Sequence, residues 1–174
     1  DPADHLTPAQ VRDLATKGWL THDGMWFGHA AAALGMEGAN DLNRAAIAAM
    51  APFEVRRLCE ALAIDPAALR NPDAIAGFVA AGVRLVTPIS VSSHLRVAPT
   101  AQGIHWEWDP GECFAYKGMQ RFGLLDGYRC GVIYRIECWL DALGARRRGE
   151  PVVEGCLMHA SGRCAGDLAL IGLA

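Results

Sequence analysis

The sequence predicts an α+β fold in which a helical N-terminal half packs on a twisted antiparallel sheet. Apolar residues recur at helical spacing behind clear N-cap signals from Thr7 to Val86. The period shortens towards two at Ile89–Val97 and Ile104–Trp108. The last third mixes helix-like and strand-like stretches around turn residues.

Taken in order, Thr7-Pro8-Ala9-Gln10 supplies an N-cap, a proline in the first turn and the glutamine of a capping box. That helix reaches about Lys17. Thr21 or Asp23 caps a second, carrying Met25, Trp26 and Phe27 to Leu34, and Gly35 stops it. A third spans Glu37 to Met50. Pro52 breaks or kinks it, and Phe53 to Ala63 continues with Val55, Leu58, Cys59 and Leu62 on one face. Asn71-Pro72 opens a further helix to Val86, closed by Pro88. The two strands follow, joined through Pro99 to Gly103, and Asp109-Pro110-Gly111 is a strong turn. Cys113–Phe122 and Tyr128–Leu143 read as helices separated by Gly123 to Gly127. Arg146-Arg147-Arg148 reads as a solvated helix C-terminus, where positive charge suits the dipole. Val152–His159 and Ala165–Ile171 read as a closing hairpin through Ser161-Gly162-Arg163. With no repeat or linker, one domain over 1–174 is expected, with a helical half at about 7–87 and a sheet-and-helix half at about 88–172.

Composition narrows the function. At 174 residues and 52% hydrophobic content there is material for a substantial core. A net charge of −3 gives no electrostatic footprint for nucleic acid. No run approaches 18 apolar residues and no signal pattern opens the chain, so neither membrane insertion nor export is expected. The expected compartment is the cytoplasm, which favours thiolate ligands over disulfides.

Five of the six cysteines lie from Cys113 onward, three of them as Cys130-x25-Cys156-x7-Cys164. A hairpin would bring Cys156 and Cys164 together, while Cys113 and Cys130 stand near helix starts, where the dipole favours a thiolate. Three readings stay open from spacing alone: a metal site, small buried hydrophobes, or redox chemistry. Cys138 and Cys59 read as core. Glu154, two residues before Cys156, is a candidate carboxylate ligand. His159, three after Cys156, is a candidate proton donor if a bulge turns it. His22–Asp23 is either an acid–base pair or part of an N-cap among core tryptophans. Trp106 and Trp108 share one strand face, and with Trp26 they either wall an apolar pocket or fill core.

These motifs carry resemblances. Trp19-x-Thr21-His22-Asp23-Gly24-x-Trp26-Phe27, Gly111-x-Cys113-Phe114-Ala115-Tyr116-x-Gly118, Tyr128-x-Cys130-Gly131, Trp139-Leu140-Asp141-Ala142-Leu143-Gly144 and Gly155-Cys156-Leu157-Met158-His159-x-x-Gly162-x-Cys164 resemble the uncharacterised DUF6125 family, from about Leu14 to Leu170. The order Cys113, Gly123-Leu124, Cys130, Cys156, Cys164-Ala165-Gly166-Asp167 is similar to the L-2-amino-thiazoline-4-carboxylate hydrolase-like family. The spacing of Cys130, Cys156 and Cys164 is also similar to the zinc site in vinyl-reductase-like domains of aromatic-sensing regulators. There the sensor glutamate would fall at Val153, which cannot bind metal, and Cys113 is the substitute.

The last resemblance implies a vinyl-reductase-like, TRAPP-like fold and a homodimer through the N-terminal helices. The expected function is a metal-binding small-molecule-binding domain. Cys113, Cys130, Cys156 and Cys164 would hold structural zinc beside a pocket walled by Trp26, Trp106 and Trp108. The alternatives are a hydrolase or lyase acting on a small heterocyclic or sulfur-containing substrate, with His159, His22 and Asp23 as acid–base groups, and an iron–sulfur or redox protein on the same cysteines.

Overall fold

The structure, a computed structural model, describes residues 3–173. Its first element, α1 (Pro8–Leu62), opens on the expected capping box: Gln10 N–H donates to Thr7 Oγ1 at 3.3 Å, and Thr7 N–H to Gln10 Oε1 at 2.9 Å. Gly35, at φ 74° and ψ 170°, is the single non-helical residue, as expected of a residue without a Cβ. The expected interruption near Lys17 to Thr21 is absent. Thr21 is interior and its hydroxyl donates back to the Lys17 carbonyl at 2.9 Å, so neither it nor Asp23 caps a helix. Pro52 is carried inside the helix as well; the carbonyl it leaves without a donor belongs to the exposed Ala48, where water can serve it. Ala63, left-handed at φ 52°, closes the helix with its N–H on the Cys59 and Glu60 carbonyls.

A 3-10 turn (Pro66–Ala68) leads to α2 (Pro72–Val86), capped by Asn71, whose side chain accepts from Ala74 N–H at 2.9 Å. The strand expected over 89–97 begins late. Ile89–Ser92 forms a short helix, α3, and β1 is Leu95–Thr100. It pairs antiparallel with β2 (Gly103–Trp108) through the two-residue turn Ala101-Gln102. Two helices follow, α4 (Phe114–Phe122) and α5 (Gly131–Ala142).

The closing hairpin is corrected. The arginine run is not a helix end but strand β3 (Ala145–Glu150), an edge strand. Alternation explains it: Arg146 and Arg148 face outward while Arg147 turns in to pair with Asp141 and Glu137. Leu157–Ser161 is a short helix, α6, and β4 (Cys164–Leu173) closes the chain. The sheet is antiparallel in the order β1-β2-β4-β3.

Ile104, Trp106 and Trp108 of β2 face the core beside Leu168, Gly166 and Cys164 of β4, and α2 and α5 cover them. Gly166 is there because a Cβ would stand 2.9 Å from the Trp106 ring and 2.8 Å from the Glu150 carbonyl. Trp139 packs edge-on against Phe78 with centroids 6.5 Å apart. Each such buried side chain stabilises the fold by roughly 1.5–3 kcal/mol. Phe27, Ala31, Ala39, Met119 and Tyr128 form a second cluster that seats α1 on α4 and on the loop before α5. The α+β architecture is as expected: long N-terminal helices on a four-stranded antiparallel sheet. Among the described residues no helix is long and apolar enough to cross a membrane.

Candidate thiol cluster and adjoining cavity

Cys113, Cys130 and Cys156 occupy the N-cap positions of α4, α5 and α6, all in extended backbone conformation, and Cys164 is the first residue of β4. Local bonds bring these starts together. Cys130 N–H donates to the Glu154 carbonyl at 3.1 Å, and Arg129 bridges Gly155, which places Cys156 beside the α5 start. Trp108 is opposite Cys164, so the turn after Trp108 delivers Cys113 to the same end of the sheet. Gly111 N–H donates to the Met158 sulfur at 3.3 Å, tying that turn to α6. The loop before Cys130 is clamped by buried Asn40, which donates to the Gly127 carbonyl at 2.7 Å and accepts from Arg129 N–H at 2.9 Å.

The thiols feel one another. Burial pushes the Cys113 thiol up to about 12, and Cys130 and Cys156 add to the rise. Burial raises Cys130, with Cys156 contributing, and raises Cys164, on which Cys113, Cys130 and Cys156 all act. The N–H groups of Tyr116 and Ala115 oppose the rise at Cys113, as do those of Ile133 and Val132 at Cys130. They favour the thiolates without the geometry of a formed side-chain cap. All six cysteines are free. The cluster is a convergence and not a finished cage. Among the described residues no group of three or more His, Cys, Asp or Glu side chains is arranged to hold a metal ion. Cys59, on the buried face of α1, and Cys138, bonded to Tyr134, are core, as expected.

The other candidates are placed differently. Glu154 is exposed and contributes its backbone carbonyl. His159 lies on α6 with its Nε2 3.0 Å from an Asp126 oxygen at the surface. His22 and Asp23 both line a cavity of about 300 Å3 between α1, α2, α4 and α5. Adjacent helix residues do not face each other, and His22 stacks on Trp19 at 6.0 Å. Trp26 and Trp108 line the cavity. Trp106 does not; it is 1% exposed and packs into the core beside Gly166. The lining includes Phe114, Ala115, Gly131 and Val132, so the cavity ends at the first turns that follow Cys113 and Cys130.

One polar group of the cavity left no local trace in the sequence. Arg135 lines the wall and gives both arms to Glu54, at 2.6 and 3.0 Å, while Trp139 Nε1–H donates to the same carboxylate at 2.8 Å. The partners stand 81 residues apart, and only the packing of α5 on α1 joins them. Asp23 has an exposed surface, yet the crowded mouth raises its pKa by desolvation, opposed by Arg135 and His22.

Fold and site define the chain as an α+β domain with a buried thiol cluster abutting an aromatic cavity. Over residues 7–81 it matches DUF6125, a family of unknown function. The match covers α1 and most of α2, hence the cavity wall with Trp19, His22, Asp23 and Trp26, and ends before the four clustered thiols. No curated protein and no solved structure matches the chain. The hydrolase-like and vinyl-reductase-like resemblances rest on their residue spacing alone.

Proposed function

We propose that the chain is a metal-binding, small-molecule-binding domain in which Cys113, Cys130, Cys156 and Cys164 hold one zinc ion beside a cavity for a small apolar ligand. The observation that carries the proposal is the convergence of four thiols from three helix starts and a strand start. Thiols serving only as small hydrophobes would be dispersed, as Cys59 and Cys138 are. Four thiolates suit zinc in a closed site, and binding would require the sulfurs to draw together and release their protons. The ion would supply a cross-link between α4, α5, α6 and β4, and so folding free energy. The cavity supports the ligand reading through its size and apolar wall. A second copy of the chain is the proposed partner, covering the exposed Leu14, Leu34, Leu42 and Phe53 of α1.

Metal content of the purified full chain tests the assignment. The expected result is one zinc per chain, lost in the Cys130→Ser, Cys164→Ser double variant. A metal-free chain from anaerobic, chelator-free purification would return the thiols to the core. A brown sample with visible iron–sulfur absorption would replace zinc by a cluster on the same residues.

A further inference from the structure

Asp23 is flanked on its own helix face by two indoles, Trp19 four residues before it and Trp26 three residues after. Both rings line the cavity and are partly open, 44% and 42% exposed, so they stand at its mouth. The carboxylate between them has no hydrogen-bond or ion-pair partner among the described residues. Arg135, the one lysine or arginine of the lining, already gives its guanidinium to Glu54. With those hydrogen bonds committed, Asp23 is the one carboxylate of the lining, without a bonded partner and inside an aromatic rim. Desolvation at the mouth raises the Asp23 pKa, and Arg135 and His22 offset that rise only in part. A cation meets both requirements at once: it neutralises the carboxylate and lies against the negative faces of the indoles. An anion would meet Asp23 and find Arg135 occupied.

We propose that the cavity binds a monocationic amine with a small apolar body, its ammonium held at the mouth by Asp23 between Trp19 and Trp26 and its body inside among Phe27, Trp108 and Trp139. This rests on the small-molecule reading above and names the ligand class.

The test is titration calorimetry of the full chain with three probes of one shape: 2-phenylethylamine, 2-phenylethanol and 3-phenylpropionate. All three titrations are run in the same buffer at pH 8. The amine is expected to bind about tenfold or more tighter than the alcohol, and the carboxylate weakest. In Asp23→Asn the amine-to-alcohol ratio falls to about one. In Glu54→Gln, which leaves the Arg135 charge uncompensated, the carboxylate gains on the other two. Equal binding of amine and alcohol, or a preference that survives in Asp23→Asn, overturns the amine inference and leaves the cavity a binding site. Binding of none of the three overturns the amine inference and the small-molecule reading together.

Discussion

Trp108 stands opposite Cys164 in the β2–β4 register, so a single cross-strand pair joins the cavity wall to the thiol cluster. Anything that orders the thiols therefore acts within one residue of the cavity. Four of the five tryptophans, Trp19, Trp26, Trp108 and Trp139, line that cavity and report on it.

Asn40→Ala removes both bonds that hold the loop before Cys130 and leaves the Gly127 carbonyl and Arg129 N–H without their partner. The expected loss is about 1–3 kcal/mol in urea unfolding, together with weaker zinc retention. Unchanged zinc retention at that loss of stability would separate the clamp from the site.

Glu54→Ala leaves the mostly buried Arg135 charge and the Trp139 indole N–H unpaired. Breaking a largely buried pair in this way is expected to cost about 3–5 kcal/mol, and Glu54→Gln less, because an amide oxygen still accepts. Denaturant midpoints of the two variants check the order.

The metal-free chain should lose stability in alkali. The Cys113 thiol is raised in the fold from its ordinary 9.0 to about 12, so the unfolded chain releases this proton first as pH rises. The contribution is whole below pH 9 and falls away between about 9 and 12. Cys130 and Cys164 are raised too and add in the same direction. Thermal unfolding of the chelated chain from pH 7 to 11 should show that decline, and Cys113→Ala a shallower one. Zinc affinity should move the other way and rise with pH, since binding releases protons.

Leu34→Glu with Leu42→Glu puts charge on two exposed leucines of α1. Light scattering is expected to show a dimer for the parent chain and a monomer for the variant. A monomeric parent at high micromolar concentration would remove the second copy from the account.

Local chemistry made much of this molecule legible. Thr7 with Gln10, Gly35, and Asn71 with Pro72 each act within a few residues, and each lies where the sequence placed it. What was hidden depends on distant partners. Arg146 to Arg148 are strand residues because β4 offers them an edge, and nothing nearby says so. Cys156 and Cys164 converge through a short helix rather than a hairpin, since Leu157–Ser161 folds as α6 where a strand was expected. Trp106 and Trp108 share a face as the period requires, but only packing sends one to the core and the other to the cavity. Asp23 was singled out for its neighbour His22, while its relevant neighbours on the helix face are Trp19 and Trp26.

Cobalt(II) substitution tests the central claim most directly, because the ion's spectrum counts the thiolates around it. Titrated into the reduced, metal-free chain, one equivalent should give intense sulfur-to-cobalt charge transfer and the strong visible bands of a tetrahedral four-thiolate site. Cys113→Ser, Cys130→Ser, Cys156→Ser and Cys164→Ser should each weaken that signal, and Cys59→Ser and Cys138→Ser should leave it intact. A weak, octahedral spectrum unchanged by the four variants would contradict the account.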